Sequence, residues 1–174
     1  AVLAEFESKA PAEVVAARHN IVVSGGTGSG KTTLLRTLLE LCVARAERMV
    51  VIEDTPELGL EGDHLVQMQT TLQVDMAELL RLSLRMNPDR IVLGEVRGPE
   101  ALELVRAMNT GHDGTLCTLH SNGGQDTIRR LHTLVMEGQP TFQAEGIHSA
   151  IDYVIQLKGR GEARQMQPLW RVPK

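Results

Sequence analysis

Nine residues, Gly25, Gly26, Thr27, Gly28, Ser29, Gly30, Lys31, Thr32 and Thr33, constrain this chain more than any others. They match the pattern G-x-x-x-x-G-K-[ST] and stand where that pattern has physical meaning, between a short apolar run and a segment of helical periodicity. Glycines allow successive backbone N–H groups to turn inward around a polyanion. The helix that follows presents the positive end of its dipole to the same charge. Lys31 is expected to reach the β- and γ-phosphates of a nucleoside triphosphate, and the Thr32 hydroxyl to bind Mg2+. The plain alternative is a glycine-rich turn with an exposed lysine, and the strand-loop-helix context weighs against it.

The flanking sequence supplies an alternating pattern. Apolar runs predict strands at 20–24, 49–52, 90–94 and 115–119, with a weaker one at 64–69 placed at a sheet edge. Between them lie helical segments. Leu34, Leu35, Leu38, Leu39 and Cys42 recur at helical spacing over 31–45. Asp75 with Glu78 resembles a capping box that opens a helix to Met86, closed by Asn87-Pro88. Pro99 starts a helix to Met108, stopped at Gly111, and 125–137 carries Ile128, Leu131, Leu134 and Val135 on one face. Residues 1–18 read as a helical lead-in, and the tail from Tyr153 as two strands around the turn 159–161. Strands alternating with helices predict one doubly wound α/β domain over 1–174, its mostly parallel sheet wrapped by helices and ending in antiparallel C-terminal strands.

Three of those strands end in residues that carry chemistry. The run 90–94 ends in Glu95, where an acid beside a phosphate loop holds the water shell of Mg2+. The run 49–52 ends in Glu53 and Asp54, and Glu53 could polarise an attacking water as general base; a solvated strand end fits composition equally well. His120 follows the run 115–119, although a lone histidine is more often structural. In open parallel sheets ligands bind at the carboxyl edge, so the convergence of Gly25, Glu53, Glu95 and His120 strengthens each. Arg97, close behind Glu95, and the i,i+4 pair Arg81 and Arg85 are candidates to reach a γ-phosphate, in their own subunit or across an interface.

Composition excludes other classes. The formal charge is −4 and the pI about 5.9, which argues against a dedicated nucleic-acid surface, so no direct stable nucleic-acid binding is expected. Aromatic residues make up 2%, so the core must be aliphatic. No run of about 18 apolar residues could span a membrane. No signal peptide is visible, and Cys42 and Cys117 have no metal-ligand spacing, which points to a reduced, cytoplasmic compartment. The first residue is Ala rather than Met, consistent with a trimmed or processed chain.

These motifs, in this order, resemble the secretion traffic ATPases. The resemblance rests on the glycine-rich loop, on Ile52-Glu53-Asp54-Thr55-Pro56-Glu57-Leu58, on Asn87-Pro88-Asp89-Arg90 through Gly94-Glu95-Val96-Arg97-Gly98, and on Thr110-Gly111-His112 through His120. Met108-Asn109-Thr110-Gly111-His112 and Gly98-Pro99-Glu100-Ala101 are most similar to the type IV branch that serves conjugal transfer. The resemblance implies a RecA-like P-loop NTPase fold and Mg-dependent ATP hydrolysis. It implies a homohexameric ring seated peripherally on the cytoplasmic face of the inner membrane and serving a secretion, conjugation or pilus machinery. It also implies a catalytic Glu53, a Walker-B Glu95 that helps Thr32 hold the metal, and a histidine box of His120 with His112 nearby. Members of the family carry a further domain ahead of this core, not found in these residues, and 66–75 holds no arginine where many relatives place nucleotide-reaching ones.

Other readings are a different RecA-like ATPase such as a nucleic-acid motor, a small-molecule kinase, and a nucleotide-binding scaffold without turnover. All share the loop. Lys31→Ala should therefore abolish useful ATP binding, because the phosphates lose their fixed cation; a fluorescent-nucleotide titration of the variant against the native chain measures the loss.

Overall fold

In a computed structural model of the chain, residues 6–7 and 11–174 are described; the remainder of the expected lead-in at 1–18 lies outside them. The elements are β1 (Phe6–Glu7), α1 (Pro11–Ala16), β2 (Ile21–Gly25), α2 (Lys31–Val43), β3 (Met49–Glu53), β4 (Leu65–Gln69), α3 (Met76–Ser83) and β5 (Arg90–Val96). Then follow α4 (Glu100–Asn109), β6 (Leu116–Leu119), α5 (Gly124–Gly138), α6 (Glu145–Ala150), β7 (Tyr153–Lys158), β8 (Gln165–Met166) and β9 (Leu169–Arg171). The sheet order is β1-β9-β7-β2-β6-β5-β3-β4, with β8 paired to β7. From β4 across to β7 every pairing is parallel, and β8 and β9 join β7, and β1 joins β9, antiparallel.

Alternation along the strands divides the core in two. Val22, Ile52, Leu93, Cys117 and Val154 face the layer of α3, α4, α5 and α6. Ile21, Val23, Val51, Val92 and Ile155 face α1 and α2. Both faces are covered, as a buried parallel sheet requires, so the doubly wound expectation holds. The expected helix face on α5 is the buried one, and Asp75 caps α3 by accepting from Glu78 N at 2.8 Å. The edge position of β4 also holds.

Two expectations are corrected and one element is added. Phe6–Glu7 is a strand rather than part of a helix, because it completes the free edge of β9. The tail contains three strands, since a loop with a 3-10 turn (Gly161–Ala163) lets β8 and then β9 return along one side of β7. The helix α6 went unpredicted: its six residues carry no side-chain cap, and only the packing of Ile147 and Ala150 reveals it. Among the described residues no helix is long and apolar enough to cross a membrane.

The amino edge of the sheet is closed by polar groups buried inside it. Asn20 accepts from Thr115 N at 3.0 Å and donates to Ala150 O at 2.8 Å. Arg90, with a side chain wholly hidden from solvent, pairs with Glu47 and donates to Val15 O at 2.6 Å and Gly114 O at 3.0 Å. Both cysteines are buried and free; burial pushes the Cys117 thiol up to about 12 and raises that of Cys42. Removing one partner of a buried ion pair leaves an uncompensated charge. Glu47→Ala should therefore cost about 3 kcal/mol of stability in chemical denaturation, far more than an exposed charge removal such as Glu40→Ala.

Candidate active site

The carboxyl ends of β2, β3, β5 and β6 meet at the opposite edge, where the glycine-rich loop leaves β2. Gly28 and Gly30 hold left-handed φ angles of 73° and 93°, which turn the chain tightly into α2. Gly30 caps α2 without any side-chain hydrogen bond, so the first-turn N–H groups of the helix remain available to an anion. Lys31 donates to Gly25 O at 3.0 Å and Gly26 O at 3.2 Å, folding its ammonium over the loop. Burial lowers the pKa of Lys31, with Glu95 raising it and Arg97 lowering it by smaller amounts. The Ser29 hydroxyl is buried with no hydrogen-bond partner among the described residues.

Facing this loop is a small open cleft lined by Thr32, Glu53, Asp54, Thr55, Glu57, Gly94, Glu95 and Arg97. Strand parity explains the gathering. Glu53 follows Met49 and Val51 on the α2 face of β3, and Gly94 follows Val92 on the same face of β5. Glu53 is 5% exposed, and its Oε1 accepts from Glu57 N at 3.0 Å and Leu58 N at 3.1 Å. Two backbone donors hold that oxygen and leave Oε2 for the cleft. Thr32 Oγ1 lies 3.4 Å from Glu57 Oε2, a long contact that leaves the hydroxyl open to a better partner.

On β5 the register against β6 shifts between Leu93 and Val96, and Thr118 Oγ1 donates to Gly94 O across the irregularity at 2.7 Å. Such a bulge re-aims a side chain, and here it carries Glu95 into the cleft. Arg97 grips Glu95 through Nε at 2.8 Å and through Nη2, with Asp54 Oδ2 at 3.9 Å. The hydrogen bond to Glu95 raises the Arg97 pKa. Glu100 holds the turn by accepting from Arg97 N and Gly98 N.

The structure thus brings Thr32, Glu53, Glu95 and Arg97 to one cleft beside Lys31. His120 stands at the same edge, directly after β6, exposed and with no ring hydrogen bond among the described residues. His112 is not near it. Its backbone N bonds to Ala107 O at the end of α4, and β6 separates the two histidines by its whole length. Arg81 pairs with Glu103 at 3.5 Å on the flank of α3. Arg85 lies past the end of α3, beside the amino edge marked by Arg48 and Met86. Neither lines the cleft. Sequence reasoning gave no role to Glu57, although it lies in the run 52–58 on which the resemblance partly rests. It also passed over Arg160 and Arg164, which lie against the loop.

A triphosphate and Mg2+ fit these residues. The uncapped helix end and Lys31 suit phosphate oxygens. The described residues hold no cluster of three or more metal-ligating side chains, so a cation here would depend on Thr32, water and the phosphates themselves, the pattern small hard Mg2+ prefers.

Comparison with known proteins shows the family. A model of the type II/IV secretion system protein family matches residues 3–162. The chain is 40% identical over 173 residues to the conjugal transfer protein TrbB of Rhizobium radiobacter, covering 98% of the chain and 54% of that protein. It is 37% identical over 158 residues to the type IV secretion system protein VirB11 of Bartonella henselae, covering 84% and 44%. Among solved structures it is similar to the VirB11 ATPase of the Brucella suis type IV secretion system in complex with sulphate (TM-score 0.83, 32% identity, 92% of this chain and 50% of that one). It is also similar to the pilus retraction motor PilT with bound ADP (TM-score 0.72, 25% identity, 98% and 53%). The chain spans about half the length of the curated relatives it matches.

Gly94 shows how closely the cleft is fitted. A Cβ there would stand 3.0 Å from Glu53 Cγ and 3.5 Å from its Oε1. Gly94→Ala should displace the carboxylate, and any nucleotide hydrolysis that depends on it should fall roughly 10- to 100-fold. Nucleotide affinity should hold within a factor of about three, because the phosphate loop is untouched. Parallel kcat and Kd measurements test the split.

Proposed function

The chain belongs to the type II/IV secretion system protein family, and from that premise we propose that it is the ATP-hydrolysing motor domain of a type IV secretion or conjugal-transfer ATPase. Its fold is the RecA-like α/β arrangement of its structural relatives. One observation carries the reading: Glu53, buried and held by two backbone amides, faces the uncapped phosphate loop across a single cleft.

Each residue has a task that its position supports. The loop N–H groups and Lys31 bind the phosphates, Lys31 exchanging its two carbonyl partners for phosphate oxygens. Glu53 orients a water toward the γ-phosphorus and accepts its proton; the bonds to Oε1 fix the plane of the carboxylate while Oε2 does the chemistry. Mg2+, held through Thr32 and the phosphates with Glu95 in its water shell, would neutralise charge on the leaving oxygens. Arg97 holds Glu95 in place and shields it from Asp54. His120, at the γ side of the edge, is positioned to hydrogen-bond the terminal phosphate and pass its loss to α5.

The larger assembly follows by relation to the family: one RecA-like domain over 1–174, a homohexameric ring, and a peripheral seat on the cytoplasmic face of the inner membrane, where it powers a secretion or conjugation machinery. The sulphate bound by the Brucella relative and the ADP bound by the pilus retraction motor support an anion and a nucleotide as ligands of this loop.

Glu53→Gln should bind ATP with native affinity and lose hydrolysis by at least roughly 100-fold, because the amide keeps the shape and loses the basicity. Phosphate release by the native chain should also rise in specific activity with protein concentration if subunits complete one another's sites. Tight ATP binding by a native chain that releases no phosphate at any concentration would leave a scaffold, not a motor.

A further inference from the structure

The loop that joins β7 to β8 lies against the phosphate loop. β7 pairs with β2 up to Gly25↔Leu157, so residues 159–164 emerge beside the point where the phosphate loop begins. The 3-10 turn folds this segment back on itself, with Ala163 N bonded to Arg160 O at 3.2 Å and Arg164 N to Gly161 O at 3.3 Å. Two arginines are thereby aimed at the loop. A Cβ on Gly30 would stand 2.9 Å from each of Arg164 Cζ, Nε and Nη1. Equal distances to three coplanar atoms mean that the guanidinium lies flat over Gly30, in space only a glycine leaves open. Arg164 Nη2 also lies 3.5 Å from Gly28 O, and Arg160 Cδ and Nε would stand 3.8 Å from a Cβ on Gly28.

Neither guanidinium has a carboxylate within ion-pair distance among the described residues, although Glu162 sits between them in sequence. The other arginines near this edge differ in this respect: Arg97 is committed to Glu95. Two cations with no carboxylate partner among the described residues, set against an anion cradle, are an arrangement a bound anion would complete.

Their side of the cradle identifies which part of the ligand they meet. The cleft with Glu53 and Glu95 lies toward β6, β5 and β3, whereas β7 lies on the other side of β2. A triphosphate with its γ end at the carboxylates therefore directs its α-phosphate and nucleoside toward β7. We propose that Arg160 and Arg164 form a clamp on the α-phosphate and nucleoside end of the nucleotide, setting affinity rather than chemistry. The proposal rests on the nucleotide-binding reading above. The flat face of Arg164 suits stacking on a base or a bidentate grip on phosphate, and Arg160 flanks it as a second cation.

The test uses the 174-residue chain with Arg164→Ala, Arg160→Ala and Arg164→Lys, measuring ATP and ADP binding calorimetrically beside kcat. Arg164→Ala should weaken ATP and ADP equally, by roughly 10-fold, because the lost contact lies at the end both ligands share. Arg160→Ala should weaken both by a smaller, equal factor, kcat at saturation should stay within about twofold, and Arg164→Lys should restore only part of the affinity. Unchanged ADP affinity in Arg164→Ala would overturn the clamp, as would a fall in kcat with ADP binding intact, which would place Arg164 at the γ-phosphate. A native chain that binds neither nucleotide would overturn the nucleotide reading itself. Native binding that Lys31→Ala abolishes and Arg164→Ala leaves untouched would remove the clamp alone.

Discussion

The parallel pairing of β2 between β6 and β7 is the constraint on which the remaining structure depends. Val22 lies opposite both Cys117 and Val154, and all three are wholly buried. Because neighbouring strands run the same way, their carboxyl ends reach one edge together, and every connecting segment must cross back to the opposite edge, by a helix everywhere in this parallel set except between β3 and β4, where the loop 54–64 makes the return. That geometry brings Gly25, Glu53, Glu95 and His120, which are separated by up to 95 positions in sequence, to one edge. An antiparallel sheet with the same residues would have scattered them between two edges.

The two edges of the sheet are treated differently. At the amino edge, buried side chains satisfy the backbone: Asn20 ties β2 to the segments around Thr115 and Ala150, and Arg90 ties β5 to α1 and to the loop before β6. At the carboxyl edge the groups are left available. The helix end at Gly30 has no side-chain cap, Ser29 Oγ has no partner among the described residues, and Lys31 satisfies itself only with loop carbonyls. Beneath this open surface sits a buried group of hydroxyls, Ser24, Ser121 and Thr127, each bonded to the other two. It fastens the end of β2 to the segment after His120 and to the first turn of α5. Stability is concentrated at one edge, and polar groups that a ligand can complete at the other.

Much of this was legible in the chain itself. The glycine-rich loop announces its own conformation, because the left-handed φ angles at Gly28 and Gly30 favour glycine, and its placement between apolar and helical-period segments identified β2 and α2. The strands β3, β5 and β6 could be read because buried parallel strands are continuous apolar runs. Short elements could not be read: α6 has no cap and β1 is two residues long, so each exists only through its contacts. The pairing of His112 with His120 failed for a similar reason. Nearness in sequence across a strand is distance in space.

The sequence by itself therefore determined the local chemistry: a glycine-rich loop of the pattern that suits an anion, acids at strand ends, and an aliphatic core of alternating strands and helices. Only the tertiary structure decided which of those groups meet. It placed Gly94 against Glu53, turned Glu95 inward through a bulge, and assigned Arg97 to Glu95 while leaving Arg81 and Arg85 on the far flank. It also brought Arg160 and Arg164, more than 120 positions from the loop they cover, to rest on Gly28 and Gly30. The physical reason is that periodicity and propensity act over a few residues, whereas strand order and register are set by how two apolar faces are buried at once, a property of the whole sheet.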